Sequence, residues 1–303
     1  HDRLEGARVK ALLDDNLSGG IEVVPQWFDQ NIITFPLLYG ELLPYVDLVE
    51  VPRGRRIEGA SVGNPTLDWG TPEGSSMTPF DTANLVAALD TSIFNVTCAL
   101  EVGRDFLSDA PVNIGTILTE AIGQRLAQEL DKVIAVGDGS IQPEGITVAS
   151  GTTSVPKAGG SGSAWTVADL ENLLFSVAKQ YRNAALQPCF LCNDTTYSRL
   201  MGIPVSTTDQ RRVFWFDQST ANHNGYNLLG WPVRVCNALP NATLVFGCMK
   251  KYRLYRRQGL AIEWSREGRT LMLANLSLLV ARGRFGGRVV DPAAFALCTT
   301  GQA

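Results

Sequence analysis

A serine, a histidine and two cysteines are the residues of this 303-residue chain whose types and spacing suggest covalent or metal chemistry. Ser61 lies in Gly59-Ala-Ser-Val-Gly63, which is the pattern of a nucleophile elbow, and His223 is the base that could activate it. A nucleophile elbow needs a strand before the serine and a helix after it, whereas Asn64-Pro65 and a glycine-rich stretch follow here. A serine hydrolase using Ser61 and His223 is therefore kept only as a remote alternative.

The spacing Cys189-x-x-Cys192 is that of half a zinc site or of a redox pair. A structural zinc site needs two further ligands, and neither a second cysteine pair nor a histidine lies nearby in the sequence. Residues i and i+3 of a strand point to opposite faces, so we predict two buried core cysteines. The glycine-rich segments 137–139 and 159–162 lack the Gly-Lys-Ser/Thr of a phosphate loop. We therefore predict no catalytic, metal or cofactor site.

Two clusters of basic residues are the remaining candidates for binding. Arg53, Arg55 and Arg56 either form a solvated turn or pair with acidic groups of a neighbouring subunit, since the guanidinium fork matches a carboxylate. The second cluster, residues 250–257, interleaves five cations with two tyrosines. It either faces phosphate groups or forms the solvated face of a strand. The sequence leaves both pairs of alternatives open.

Composition narrows the function classes further. The net charge is −4, with 26 basic and 30 acidic residues, so there is no global basic field to hold nucleic acid. Hydrophobic residues make up 45% of the chain and charged residues 18%, which is typical of a globular protein and excludes a disordered one. Six scattered cysteines are too few for a disulfide framework in a chain of this size. No uncharged apolar run approaches the ~20 residues of a membrane-spanning helix.

Hydrophobic periodicity and turn formers indicate the elements that position these residues. A helix is predicted over 110–136, where apolar residues recur at helical spacing. Residues 52–79 are rich in glycine and proline and lie between strand-like segments, which predicts a long projecting hairpin over 46–90. A tight turn at Glu267-Gly-Arg269 precedes an apolar strand predicted over 271–281. Helices and strands are mixed without a βαβ rhythm, so the predicted fold class is α+β.

The order of these parts carries a resemblance to a known family. The parts are an arm, a long hairpin, a long helix, a Gly-Asp-Gly turn, a variable middle, a long apolar strand and a short tail. The most specific stretches are Glu101–Pro111, Ala121–Arg125, Glu129–Asp131, Val136–Gly139, Gln142–Gly145, Leu229–Val233 and Ile262–Arg269. Together they resemble the major capsid protein of tailed bacteriophages, which has the Hong Kong 97-type fold. The resemblance covers nearly all of the chain from about Gly20 onward.

The resemblance implies a division of the chain into four parts. The N-terminal arm would be residues 1–30, and the extended hairpin loop, lying over the next subunit, would be residues 46–90. The peripheral domain would comprise 30–46, 90–140 and 259–290 and would include the spine helix 110–136. The axial domain would comprise 141–258 and 291–303.

The resemblance also implies a structural protein rather than an enzyme. Such a subunit self-assembles into the hexamers and pentamers of an icosahedral virion capsid, in the cytoplasm of the bacterial host. Its implied partners are copies of itself, a portal, a decoration or cement protein, and enclosed double-stranded DNA that it contacts weakly. A maturation protease removing an N-terminal segment would leave a start such as His1, as would a fragment. No cofactor and no membrane is implied. The alternative with the same fold is an encapsulin-type nanocompartment shell protein.

Some members of this family join neighbouring subunits by a Lys–Asn isopeptide bond that a Glu promotes. Matched to this sequence, the Asn falls on Asn275, the Glu on Arg282 and the Lys near Thr71. The hairpin from 52 to 90 contains no lysine, so we predict no crosslink. The expected inter-subunit contact residues are Arg53, Arg55, Arg56, Glu73, Glu267, Gly268 and Arg269.

Overall fold

The computed structural model describes residues 40–62, 69, 86–109, 114–157, 164–204 and 227–299. Its helices are α1 (Arg104–Asp109), α2 (Ile114–Val136), α3 (Val167–Ser176), α4 (Asp194–Met201) and α5 (Arg269–Leu273). Its strands are β1 (Asp47–Glu50), β2 (Arg56–Ile57), β3 (Ala60–Val62), β4 (Val86–Ala88), β5 (Thr91–Ser92), β6 (Phe94–Gly103), β7 (Thr153–Ser154), β8 (Pro188–Cys192), β9 (Asn227–Leu228), β10 (Trp231–Val235), β11 (Thr243–Cys248), β12 (Tyr252–Ser265), β13 (Leu276–Val289) and β14 (Phe295–Thr299). The fold is a mixture of helices and sheets, in agreement with the predicted class.

A four-stranded sheet in the order β1-β12-β13-β6 forms one layer. The 14-residue strands β12 and β13 are antiparallel neighbours, β13 pairs antiparallel with β6, and β1 runs parallel to β12. β12 continues without interruption through the expected domain boundary at residues 258 and 259, where its register with β13 shifts. The helix α5 lies between β12 and β13, and none of its five residues is buried.

Helix α2 packs against this sheet through the first half of its length. Ile122 forms a buried cluster with Leu279 and Ala281 of β13, whereas Ile134 belongs to the core shared with the second sheet. At 1.5 Å per residue, the 23 residues of α2 span about 35 Å. The sequence predicted a helix over 110–136; the described helix begins at Ile114, and 110–113 lie outside the described residues.

A six-stranded mixed sheet in the order β7-β14-β11-β8-β10-β9 forms the second layer. Every residue of β8 and β11 is buried, as expected for central strands that are covered on both faces. On one face, Leu170 and Leu173 of α3 pack with Phe190 and Phe246, whose ring centroids are 4.7 Å apart. Parallel pairing of β8 and β10 makes β8-α4-β10 a βαβ unit, which the sequence pattern did not indicate.

Two close backbone approaches build the Gly-Asp-Gly turn that follows α2. A Cβ at Gly137 would lie 2.0 Å from the carbonyl oxygen of Pro143, and a Cβ at Gly145 would lie 2.2 Å from the nitrogen of Gly137. Because no side chain fits at either position, only glycine allows this turn. The Asp138 carboxylate accepts the N–H of Ser140 at 3.0 Å, and this hydrogen bond lowers the pKa of Asp138.

The segment that the sequence predicted as one apolar strand, 271–281, is divided in the structure. Helix α5 ends at Leu273, Asn275 has a positive φ of 52°, and β13 begins at Leu276. The strand prediction was therefore wrong over its first residues. An apolar run alone does not separate a buried strand from an exposed apolar helix, and the side chains of Met272 and Leu273 are 66% and 80% exposed.

Candidate subunit-contact surfaces

Two chain segments pair at the base of the expected hairpin loop. β2 pairs antiparallel with β5, and β3 pairs antiparallel with β4. Between these pairs, Gly59 and Leu89 exchange backbone hydrogen bonds of 3.0 and 2.8 Å. Residues 63–68 and 70–85, which include Thr71 and Glu73, lie outside the described residues.

Of the three arginines at this base, one has an ion-pair partner among the described residues and two do not. Arg56 forms an ion pair with Asp90, whose carboxylate accepts a hydrogen bond from the guanidinium and raises the pKa of Arg56. Gly54, with a φ of +104°, turns the chain between Arg53 and Arg55. Arg53 and Arg55 are exposed, and neither has an ion-pair partner in the described part of the chain. Both guanidinium groups are therefore available to a carboxylate from outside the described residues.

The second basic cluster, residues 250–257, is largely neutralised within the subunit. The parallel register of β1 and β12 places Asp47 opposite Arg253 and Glu50 opposite Arg256. Asp47 accepts a hydrogen bond from Arg253 at 2.8 Å, which raises the pKa of Arg253, and Glu50 forms an ion pair with Arg256. Because two of the three arginines are paired across strands, the contacts favour the strand-face alternative over the phosphate-binding one.

The connection between β12 and β13 forms an exposed surface, residues 263–275, that we call the peripheral tip. It carries the carboxylates Glu263 and Glu267 and the guanidinium groups Arg266 and Arg269, all of them exposed, and Gly268 with a φ of +132°. Within the described ranges, none of these four charged side chains has an ion-pair partner. Both signs of charge occur side by side, so a second copy of the chain can complement them.

Apolar side chains accompany these charges. Those exposed on the peripheral tip and on the adjacent helix α1 are Trp264, Met272, Leu273 and Phe106. A cavity of about 290 Å³ between the tip and the helices is lined by Leu107, Ile114, Gly115, Trp264 and Arg266. Clustered exposed apolar groups next to unpaired charges are typical of a protein–protein contact.

The start of α1 holds the peripheral tip in place. The backbone N–H of Arg104 donates to the Asn275 carbonyl at 3.0 Å, and Arg104 Nε donates to the Leu276 carbonyl at 3.1 Å. The side-chain amide of Asn275 donates to the carboxylate of Asp105 at 2.8 Å. The tip is thus preorganised, so a partner that contacts it does not have to order a loose loop.

The positions matched to an isopeptide crosslink have other surroundings here. Asn275 uses its amide group in the bond to Asp105. Arg282 is an exposed residue of β13, opposite Thr97 of β6 and Ala261 of β12, and it puts a cation where the matched position has a carboxylate. The third position, Thr71, lies outside the described residues.

The residues that suggested catalysis are not arranged for it in the described part of the chain. Ser61 lies inside β3, paired with Ala87, and not at a strand-to-helix turn; His223 lies outside the described residues. Cys189 and Cys192 are buried in β8, and burial raises the pKa of each to about 12, which confirms them as core cysteines. Across the described ranges, no group of three or more His, Cys, Asp or Glu residues is placed to hold a metal ion.

A buried carboxylate that the sequence did not indicate holds the segment before β1 against α2. Asp131 of α2 is 8% exposed and accepts the backbone N–H groups of Leu42 at 3.2 Å, Leu43 at 3.1 Å and Glu41. The Glu41 carboxylate accepts the N–H of Val235 in β10 at 3.0 Å. Burial raises the pKa of Asp131, and the three N–H donors oppose this effect without overcoming it. Its only signal in the sequence was a carboxylate next to an apolar helical stripe.

Solved structures of phage-like particles have the same fold. A capsid chain of a native GTA particle superposes with a TM-score of 0.78 at 18% identity, covering 93% of this chain and 96% of that chain. A chain of Microbacterium phage Oxtober96 gives a TM-score of 0.72 at 12% identity, with coverages of 95% and 99%. A chain of Gordonia phage Cozz gives 0.67 at 15% identity, with 93% of each chain covered. The fold is therefore the Hong Kong 97-type capsid fold.

The model of the phage capsid family matches residues 20–300, and the chain belongs to this family. It is a capsid shell subunit of tailed phage-like particles, and its location is the virion. A comparison with curated protein sequences found no match. Among the described helices, none combines the length and the apolar character needed to cross a membrane.

Proposed function

We propose that the chain assembles with copies of itself into the hexamers and pentamers of an icosahedral head that encloses double-stranded DNA. The observation that carries this proposal is the peripheral tip, a turn held by Arg104 and Asp105. It presents exposed apolar side chains and charges of both signs that have no ion-pair partner among the described residues. A preorganised surface with these properties suits a contact between identical copies. Because a shell repeats each contact many times, individually weak contacts suffice.

The base of the hairpin provides the second set of contacts in this proposal. Arg53 and Arg55 pair with carboxylates of a neighbouring copy. Glu263 and Glu267 of a neighbouring tip, which have no ion-pair partner in the described ranges, have the matching chemistry. Arg56 acts indirectly, because its ion pair with Asp90 holds the base together. Glu73, which lies outside the described residues, stays a predicted contact.

The assembled shell contains no isopeptide crosslinks in this proposal. The residues from 52 to 90 include no lysine, so the amine that would attack Asn275 is absent from the loop that supplies it in crosslinking relatives. At the position of the promoting carboxylate stands Arg282, a cation that cannot accept a proton from an attacking amine. Of the three groups that the crosslinking reaction needs, the lysine amine and the promoting carboxylate are therefore missing, and only the asparagine is present.

The remaining partners follow from the family and the charge. A net charge of −4 and the internally paired arginines of residues 250–257 support weak contact with enclosed DNA. A portal and a decoration or cement protein are the further partners that we propose, and the maturation protease stays a prediction. The chain acts as a structural protein in all of these interactions, without a catalytic role of its own.

Reversing two charges tests the assembly proposal. Arg53→Glu with Arg55→Glu should leave a soluble subunit with an unchanged melting temperature, because both side chains are exposed and unpaired among the described residues. Shells should disappear from negative-stain micrographs. Arg56 is left intact, because replacing it would also break its pair with Asp90. The control, Arg53→Lys with Arg55→Lys, keeps both charges and should still assemble. Shells at normal yield from the Glu variant would refute the contact.

Boiled denaturing gels of assembled particles test the absence of crosslinks. The expected result is a single band at the mass of the monomer, under reducing and non-reducing conditions alike. A ladder of covalent multimers that survives boiling and reductant would contradict the proposal. Mass spectrometry of the ladder would then identify the amine that replaces the missing lysine.

A further inference from the structure

An apolar groove lies between the first sheet and the first half of α2. It has a volume of about 370 Å³, and its lining includes the partly exposed side chains of Leu100, Leu118 and Leu260. Its two charged lining residues, Arg125 and Glu129, pair with each other at 2.6 Å. Covering aliphatic surface that would otherwise contact water is favourable. The groove therefore suits an apolar group rather than a charged ligand.

The peripheral tip carries apolar side chains that suit such a groove. Met272 and Leu273 follow one another in α5, a helix of which no residue is buried, and both side chains are exposed. Trp264 of the tip and Phe106 of α1 are exposed beside them. The tip is thus an apolar projection, and the groove is an apolar depression on the same kind of subunit.

A subunit cannot place this tip in its own groove. Ala281 of β13 lines the groove, and β13 begins at Leu276, next to the tip. Five residues of paired strand, about 17 Å, therefore separate the two surfaces. The hydrogen bonds of Arg104 and Asp105 hold the tip at its end of the sheet. A tip that enters the groove consequently comes from a second copy of the chain.

The spacing of the charged groups agrees with such a contact. The carbonyl of Arg55 accepts the N–H of Ile93, and the chain continues as β6 to Thr97 in the groove, about 13 Å further along. On the tip, Glu267 and Met272 lie on either side of a single helical turn with a pitch of about 5.4 Å. The long arginine and glutamate side chains cover the difference between the two spans. One tip can therefore reach the arginines and the groove at the same time.

We propose that Met272 and Leu273 of one copy occupy the apolar groove of the next copy, while Glu267 of the same tip meets the base of the hairpin. This inference rests on the shell function proposed above and names the surface that receives the tip. The tip and the groove are different surfaces of one subunit, so the contact is head-to-tail. Contacts of this kind close into rings, in which every copy gives one tip and receives one.

A native thiol makes the contact testable. Cys98 lines the groove and is exposed, whereas the other five cysteines are buried. Shells of Met272→Cys, and separately of Leu273→Cys, should form disulfides with Cys98 of the neighbouring copy when oxidised with diamide. Non-reducing gels should show a ladder that extends beyond the dimer, because head-to-tail links continue from copy to copy. Reductant should return the ladder to the monomer.

Matched controls separate the possible outcomes. Met272→Cys or Leu273→Cys combined with Cys98→Ser should stay unlinked. Links that persist without Cys98 would join tip to tip and overturn the proposal, as would shells in which neither variant links to Cys98. Absence of shells from the wild-type chain would overturn the shell function as well, whereas normal shells without links overturn this inference alone.

Alkylation of Cys98 gives a second readout, which uses the wild-type tip and decides if the tip variants form no shells. Burying one large apolar side chain changes an equilibrium by about tenfold or more. Cys98 should therefore react with N-ethylmaleimide slower by at least that factor in shells than in the unassembled subunit. Cys98→Ser with Ile141→Cys is the control for access of the reagent and should react equally in both states. Equal rates for Cys98, or a Cys98 that is already unreactive in the unassembled subunit, would overturn the proposal.

Discussion

The two ends of β12 use charged side chains in opposite ways. At its start, Arg253 and Arg256 pair with Asp47 and Glu50 across the parallel register with β1. At its far end, the charged side chains of the peripheral tip have no ion-pair partner among the described residues. The first end satisfies its charges inside the subunit, and the charges of the second, which have no such partner among the described residues, are the ones that we propose a neighbour pairs with. A cluster of charges therefore marks a contact surface only where the subunit itself does not neutralise it.

The largest expected effect comes from changing the apolar part of the peripheral tip. Met272→Glu with Leu273→Glu should abolish shells, because the added charges must lose water at every copy of a contact that the shell repeats. The melting temperature should stay unchanged, since both side chains are exposed. Size-exclusion chromatography with negative-stain microscopy measures the first effect, and differential scanning fluorimetry measures the second.

Ile141→Glu is the matched control for the tip variant. Ile141 is also an exposed apolar side chain, on the turn after α2 and not on the peripheral tip. This variant should assemble at a yield near that of the wild type. If it lost assembly as completely as the tip variant, the distinction between the tip and the rest of the surface would fail.

An intermediate effect is expected from Asp131, a carboxylate whose partners are backbone donors instead of cations. Asp131→Asn places amide hydrogens near the N–H groups of residues 41–43 and should lower the free energy of unfolding by about 1–3 kcal/mol. Chemical denaturation of the unassembled subunit measures this difference. A change below the error of the measurement would show that the contact is dispensable.

The raised pKa of Asp131 determines in which direction its effect on the free energy of unfolding changes with pH. The part of its contribution that depends on protonation is complete below the ordinary carboxyl value of 3.8 and is lost as the pH rises through the raised pKa of the folded state. The difference in unfolding free energy between wild type and Asp131→Asn should therefore be larger near pH 3 than at pH 7. A difference that grows with increasing pH would contradict this sign.

The smallest effect is expected at the start of β12. Asp47→Asn with Glu50→Gln removes two partly exposed ion pairs, each of which contributes no more than about 1 kcal/mol. The free energy of unfolding should fall slightly, and the difference should shrink at high salt, where screening weakens such pairs. Shell yield should stay normal. Loss of shells from this variant would remove the contrast between the two ends of the strand.

Local features of the fold were predictable from the sequence, whereas long-range partners were not. The two-residue period of a strand predicted that Cys189 and Cys192 are core cysteines, and both are buried in β8. The apolar stripe predicted most of α2. The pairing of Asp47 with Arg253 joins residues 206 positions apart. Its register depends on the whole sheet and is not encoded by either segment alone.

The candidate contact surfaces were predictable only in part, for the same reason. The sequence grouped Arg53, Arg55 and Arg56, and the structure separates Arg56 because β2 and β5 bring it to Asp90. The sequence also predicted one apolar strand from Leu271 onward, where the structure has an exposed helix before β13. Exposed apolar residues that serve a contact and buried ones that fill a core have the same composition, so periodicity alone does not distinguish them.

Electron microscopy of the purified full-length chain under assembly conditions tests the central claim most directly. We predict closed icosahedral shells built from pentamers and hexamers, in which the peripheral tips of neighbouring copies lie in contact. A subunit that stays monomeric in every condition tested would contradict self-assembly. Shells in which the peripheral tip faces solvent would contradict the assigned contact surface.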